Sequence, residues 1–476
     1  MTPRVEGLAI GSTTSEWVEF MRPASDMGER ASTKARRRRP LFLRTLARTV
    51  AAWLGLASLG AAALGCAADS RPRATAASSS PRAIPLSRER IDALVTDLAR
   101  ETAQIRGLTF QRRVPVTVET TAQIAEHWRD TLRDERDEIE TEEALGIGLG
   151  VIAESTHLAD ALTELVGREA QGYYDPDSGD LVLVDTEAAS LGAAGPAGLD
   201  ARATVVHELT HALQHQHHAN MVTASSSRQP ALSDGARARL ALLEGDATIV
   251  AMEWAQHRRG TRFIGAPDML DRVRRWVANA QVLTEANAPA YLIDSAEAPY
   301  EAGALAVAQL VAAGGFSRVD SMLTAGVTRT AEVLHPEREA AAWVDLSTPS
   351  ASAASEAPAA DASPATRVAS PVSRSLGEME LRLFLQRVIR EERAAELAAS
   401  WRGDWIVLER LGPALRVRWR VACANAAEAA RLAQTLQPLV ERWQRDGCPR
   451  MVGGSRTFCP ATIDSDGALL RVSRGQ

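Results

Sequence analysis

Apolar and polar positions alternate along this chain with two periods, and each period marks a kind of element. After Ser87, a residue suited to capping, Ile91, Leu94, Val95, Leu98 and Ile105 fall at helical spacing. Val114, Val116 and Val118 alternate with other residues as a half-buried strand does. Residues 121–144 read as one helix whose charged run, Arg129 to Glu143, is a solvated face. In Gln171-Gly-Tyr-Tyr-Asp-Pro-Asp-Ser-Gly-Asp180, the Asp-Pro and Ser-Gly pairs punctuate a turn before Leu181-Val-Leu-Val184. That is a hairpin, with Tyr173 and Tyr174 packing it. Leu199–Ala219 reads as a helix, and Asp234 as the cap of another running to about His257. Farther on, the pattern predicts a helix over Leu381–Ala399 and strands over Trp405–Leu411 and Leu415–Val421. A helix capped by Asn425 follows, with Trp443 near its end, and then a strand-rich terminus. Trp401-Arg-Gly-Asp-Trp405 reads as a helix-to-strand turn with packed indoles. No internal repeat is present.

The chain has 476 residues, which implies more than one domain. Apolar residues make up 45% and charged residues 24%, so neither a wholly disordered chain nor a multi-span membrane protein fits. Aromatics are 4%, so the cores must be built mainly from Ala, Leu and Val. The net charge is −6, but residues 1–65 hold 10 basic and 5 acidic residues, which leaves 44 basic against 55 acidic beyond them, a net −11. Such a chain repels phosphate backbones, so nucleic acid is not an expected partner. Low-complexity stretches rich in Ala, Ser and Pro divide the chain. They define an N-terminal extension (1–66), a tether (67–85), a main domain (86–346), a linker (347–372) and a C-terminal module (373–476).

The extension has the make-up of an export signal. Arg36 to Arg39, Arg44 and Arg48 precede an uncharged run from Thr49 to Ala68, which passes through Leu64-Gly65-Cys66. That ending resembles a bacterial lipoprotein signal. The resemblance implies lipidation at Cys66, membrane attachment and a place in the cell envelope. A plain cleaved signal and a single N-terminal anchor are the alternatives, since the uncharged run is just long enough to span a bilayer. Export implies an oxidising compartment. Cys448 and Cys459 flank a Gly-rich turn and can close a loop, and Cys423 then serves as a small buried apolar residue; the pairing stays open.

One motif carries chemistry. His207-Glu-Leu-Thr-His211 is an H-E-x-x-H on a predicted helix. Residues four apart share a helix face, so both imidazoles can reach one ion, and Glu208 beside them can hold a metal-bound water. With 9 His and 60 acidic residues in the chain, chance matches number about 0.02 or fewer. Thr204, Val205, Val206, Leu209, Ala212 and Leu213 make the rest of the helix largely apolar, and burying two histidines and a glutamate there is costly without a metal or partner. A tetrahedral site needs a third protein ligand. His217 stands ten residues after His207, but Gln214 occupies the position where the metzincin pattern needs Gly to turn the chain back. The other candidate is Glu244, on the next predicted helix, in Leu-Leu-Glu244-Gly-Asp246-Ala. No G-x-S-x-G, Walker motif or strand-end G-x-G-x-x-G accompanies it.

This arrangement resembles the gluzincin zinc peptidases, whose third ligand is a Glu on a following helix. The hairpin, His-Glu-Leu-Thr-His-Ala-Leu-Gln, Leu-Glu-Gly-Asp-Ala, Pro299-Tyr-Glu-Ala-Gly303 and Glu332-Val-Leu-His-Pro-Glu337 are together similar to a family of zincin-like secreted bacterial and archaeal proteins. The resemblance implies an α+β fold, with a zincin-like domain over 86–346, its active-site helix against a small sheet, and a small α+β accessory module over 373–476. It implies one Zn²⁺ held by His207, His211 and Glu244, Glu208 as general base, and a peptide or protein substrate. Tyr300 and His335 are the candidate donors to the transition state. Asp246 is either a support for a ligand His or a structural bond, because Thr248 stands where gluzincins often have that Asp. The strand Leu181–Val184 is the expected cleft edge. A zinc-bearing envelope protein without hydrolytic activity and a hydrolase of non-peptide amide bonds in the cell wall are the other readings.

Overall fold

The computed structural model describes residues 86–169, 172–223, 233–279, 289–338, 343–347, 371–411, 414–449 and 460–475. The extension 1–66 with Cys66, the tether 67–85, most of the linker (348–370) and Cys459 lie outside the described residues. Helix accounts for 61% and strand for 15% of what is described, so the chain is α+β.

Helix α1 (Arg88–Arg106) is capped by Ser87, which accepts from the Arg90 amide. Strand β1 (Val116–Glu119) follows, then α2 (Thr121–Asp134), α3 (Arg136–Leu149) and α4 (Leu158–Glu169). The single helix expected over 121–144 is thus two, parted at Glu135, whose backbone leaves the helical range. Both halves pack on α4, and α3 packs on the C-terminal sheet as well. Its Glu142 is buried against Arg374, so the charged run is not wholly a solvated face.

Strands β2 (Gly172–Asp175) and β3 (Asp180–Val184) form the expected hairpin, and Gly179 takes the positive φ of 81° that its turn requires. Strand β3 also pairs in parallel with β1, which gives the order β1-β3-β2. The cleft edge expected at Leu181–Val184 is therefore the centre of the sheet, and β2 is an outer strand. After α5 (Asp185–Ser190), the long helix α6 (Pro196–His217) packs on β2 and α1. A short α7 (Ala219–Thr223) precedes α8 (Asp234–His257). Ser233 caps α8, not Asp234; the Asp234 carboxylate instead accepts from the amide and hydroxyl of Thr330. From Asp234 to Trp254 almost every residue of α8 is buried. It lies between α6 on one side and α9 (Met269–Asn279), α10 (Ala290–Gly314), α11 (Phe316–Ala325) and α12 (Thr330–Leu334) on the other.

The rest comprises β4 (Val372–Arg374), α13 (Gly377–Gln386), α14 (Glu391–Ala398), β5 (Trp401–Leu411), β6 (Ala414–Cys423), α15 (Ala426–Asp446, capped by Asn425), β7 (Ala461–Asp466) and β8 (Leu469–Arg474). The antiparallel sheet runs β4-β5-β6-β8-β7. The helix expected over Leu381–Ala399 is again two. Strand β5 starts at Trp401, so Trp401 to Trp405 is strand rather than turn. Asp404 there accepts from the indole nitrogens of Trp401 and Trp419 and from the amides of Leu376 and Gly377. This module does not close its own core: Ala144, Leu145 and Ile147 of α3 are part of it. Cys423 is buried, which pushes its thiol up to about 11, as befits a packing residue. Cys448 is buried too.

Candidate metal centre

Helix α6 is apolar on nearly every side. Val205, Val206, Leu209, Ala212 and Leu213 are all fully buried between the small sheet and α8. Three chemically expensive side chains, His207, Glu208 and His211, lie in this setting within 4.8 Å of one another, and only His211 keeps some exposure, 15% of its side chain. Helix α8 supplies a fourth. Glu244 Oε2 is 3.1 Å from His207 Nε2 and 3.2 Å from His211 Nε2, and the two Nε2 atoms are 3.1 Å apart. Three donor atoms from two helices thus form a nearly equilateral triangle.

The place of Glu244 is fixed by its neighbour. At Gly245 the backbone of α8 meets that of α10 at Gly303 so closely that a Cβ on Gly245 would lie 2.2 Å from the Gly303 carbonyl. The Leu-Glu-Gly-Asp and Pro-Tyr-Glu-Ala-Gly segments therefore meet at their glycines, and this crossing sets the height of Glu244 against α6.

Glu208 points the other way. Its Oε2 accepts from the Tyr174 amide of β2 at 2.8 Å, while its Oε1 and His207 Nδ1 are buried without a hydrogen-bond partner. Burial raises the Glu208 carboxyl above the ordinary range, against the pull of His211 and His207. Burial also works upward on Glu244, but the charge of His211 and the bonds to both imidazoles outweigh it and draw Glu244 down to about 2. On His211 burial works downward, and the charge of Glu244 lifts it to about 9 instead. Two carboxylates and two imidazoles thus share one largely buried cluster.

The donor set fits a zinc ion. Ligands at about 2.0–2.1 Å in a tetrahedron stand about 3.3 Å apart. The three edges here are 3.1, 3.1 and 3.2 Å. Two imidazole nitrogens and a carboxylate oxygen are also zinc's usual donors. No family model, curated protein or solved structure matches this chain.

Of the other predicted residues, His217 and His335 lie elsewhere. His217 Nε2 is 2.7 Å from the Thr109 carbonyl, because α6 runs straight on and carries it off the triangle. Tyr300 is buried in the apolar core that α8 and α10 share. His335 lies 2.7 Å from Glu378 and lines a cavity of about 540 Å³ whose wall includes none of His207, Glu208, His211 or Glu244. His335 is not brought to the cluster by these contacts. Asp246 is fully buried and bonds Gln214 Nε2 at 3.0 Å and Arg106 at 2.8 Å. Two participants escaped the sequence reading. Tyr174 contributes a backbone amide to Glu208, which no side-chain pattern announces, and its hydroxyl lies 2.9 Å from His215 Nδ1. Gln214 lies 2.9 Å from His211 Nδ1. Its spacing of three from His211 on one helix face was the available signal.

Proposed function

We propose that this chain is a zinc-dependent metallopeptidase of gluzincin type, exported and attached to a membrane through a lipid at Cys66. The observation that carries the zinc reading is the triangle of His207 Nε2, His211 Nε2 and Glu244 Oε2 beside a buried carboxylate with one unused oxygen. The export and lipid parts rest on the extension's composition alone.

His207, His211 and Glu244 would hold the ion. Bound zinc lowers the pKa of a coordinated water to about 7 and polarises a carbonyl. Glu208 is the general base. The Tyr174 amide holds its Oε2, so Oε1 is the atom that takes a proton from water and later returns it to the leaving amine. Burial raises the affinity of this carboxylate for a proton, which suits a base that must pass one on near neutral pH. Strand β2 is the outer strand beside α6, and there an extended peptide would add to the sheet. Acyl transfer also needs a donor to the oxyanion. His335 bonds Glu378 instead, and Tyr300 stays the candidate for that role.

One observation favours the second reading, a zinc-bearing envelope protein without turnover. The cluster opens to solvent only at His211, 15% of whose side chain is exposed. The test is metal content and hydrolysis of a mixed peptide library by the full-length protein, beside Glu208→Gln and Glu244→Ala. One zinc per chain, lost in Glu244→Ala, with cleavage abolished and zinc kept in Glu208→Gln, supports the peptidase. Zinc without cleavage of any peptide supports the second reading or a non-peptide amide substrate. No metal after zinc is supplied refutes both.

A further inference from the structure

Gln214 is fully buried three residues after His211, and each end of its carboxamide faces a different kind of group. Its Nε2 donates to the Leu243 carbonyl at 2.9 Å and to Asp246 Oδ2 at 3.0 Å. Both are acceptors only, since a carbonyl has no proton and a carboxylate paired with arginine keeps none. The amide can therefore sit in one orientation: nitrogen toward α8, oxygen toward His211. That oxygen is 2.9 Å from His211 Nδ1. An amide oxygen cannot donate, so Nδ1 must carry a proton. In the neutral ring the lone pair is then on Nε2, the atom that faces His207 and Glu244.

The chain of bonds has a far end. Asp246 is held by Arg106 Nε, 2.8 Å from Oδ1 and 3.0 Å from Oδ2. Arg106 is fully buried, donates to Asp320 at 2.5 Å, and lies over the Phe316 ring. His207 has no such support, because its Nδ1 lacks a partner. Only one of the two imidazoles is wired in this way.

We propose that Gln214 is the positioning residue that fixes His211 as a metal donor, with Asp246 and Arg106 setting the direction of its carboxamide. This rests on the reading of His211 as a zinc ligand. An acid bonded directly to the imidazole would add a full charge beside the ion. Here the carboxamide passes on orientation and withholds charge, since Arg106 offsets Asp246 before it reaches the ring. The segment Leu-Glu-Gly-Asp then supplies one ligand, Glu244, and governs another.

The test uses the full-length protein. Zinc affinity is measured by competition with a chromophoric chelator, and the Nδ1–H resonance of His211 is followed in zinc-loaded, ¹⁵N-histidine-labelled protein. Gln214→Leu, with about the same volume and no polar atoms, should weaken zinc binding about 10- to 100-fold. It should also lose the slowly exchanging Nδ1–H signal. Asp246→Asn frees the carboxamide to flip and should weaken binding in the same direction by less. Combining the two should cost no more than Gln214→Leu alone, because both act along one path. Thr210→Val, buried on the same helix but outside this chain of bonds, should leave affinity unchanged. A folded Gln214→Leu that binds zinc within about twofold of wild type and keeps the Nδ1–H signal overturns the proposal and leaves the zinc reading intact. If Gln214→Leu does not fold, a folded Asp246→Asn with unchanged affinity and signal overturns it. Wild type that takes up no zinc overturns the proposal together with the reading beneath it.

Discussion

Replacing Gly245 by alanine tests whether the helix crossing sets the metal-binding triangle. Two terms oppose each other. Alanine in a helix interior is favoured over glycine by about 1 kcal/mol, so at an uncrowded site the change stabilises. At this site the new methyl would lie 2.2 Å from both the carbonyl carbon and the oxygen of Gly303, and 2.8 Å from its Cα. These are backbone atoms, so no rotamer change relieves the clash. An ordinary contact begins near 3.4 Å, so α8 and α10 must separate by roughly 1 Å in a core packed like an organic crystal. Overpacking of this kind costs about 1–3 kcal/mol, and with no flexible neighbour the upper end applies. The net is a loss of about 1–2 kcal/mol after the propensity gain. A shift of that size on α8 also moves Glu244 relative to donors 3.1 and 3.2 Å away. Zinc affinity should therefore fall with stability. Urea unfolding of the metal-free protein reads the first effect and chelator competition the second. Gly303→Ala, whose methyl would lie 1.9 Å from the Ala241 carbonyl oxygen, should behave alike, and the double variant should cost less than the sum. A Gly245→Ala protein about 1 kcal/mol more stable than wild type, with unchanged zinc affinity, refutes the reasoning.

Three further outcomes follow from buried charges away from the triangle. Asp404→Ala strips the acceptor from the indoles of Trp401 and Trp419 and from two amides; at about 1–3 kcal/mol for each buried donor left unmatched, loss of the C-terminal fold is expected by circular dichroism. Glu142→Ala leaves the guanidinium of Arg374 buried without its carboxylate; about 3–5 kcal/mol of lost stability in urea is expected, and a change under 1 kcal/mol would show that α3 is not anchored to the sheet by this pair. The carboxyl of Asp234 is pushed up from 3.8 to about 7, first by burial and then by Asp404, against the bonds from Thr330. Its folded form holds a proton that the unfolded chain gives up, so its contribution is full below about pH 4 and is lost as pH rises toward 7. Asp234→Asn, which keeps the acceptor oxygen, should flatten the fall in stability across that window in pH-dependent urea titrations.

What was legible in the sequence was local. Ser87 and Asn425 cap helices because a short polar side chain reaches back to its own amides. The hairpin follows from its turn residues, and the H-E-x-x-H spacing puts two imidazoles on one face. What was not legible depends on partners far along the chain. The helix expected over 121–144 breaks at Glu135, and its second half alone also meets the C-terminal sheet. Trp401 and Asp404 lie in a strand because Asp404 answers an indole from β6. Tyr174 meets Glu208 through its backbone, and backbone groups carry no residue-type signal. His335, marked by its segment, has its partner at Glu378 on the C-terminal side.

Asp246 acts on the cluster from a direction other than that of Glu244. Two residues from Glu244, it lies about 200° around the helix, so it cannot face the same place. That is correct, and it does not bond a ligand histidine. But α8 is buried on every side, so each direction around it meets a different element. Glu244 meets the imidazoles of α6, Gly245 the backbone of α10, and Asp246 the arginine of α1. Gln214 then spans the angle that Asp246 cannot, bonding both it and the Leu243 carbonyl one position before Glu244. On a surface helix, with a single buried stripe, three consecutive positions could not all be contacts. Leu-Glu-Gly-Asp is contiguous because its helix is central, and each of its last three residues does something different for that reason.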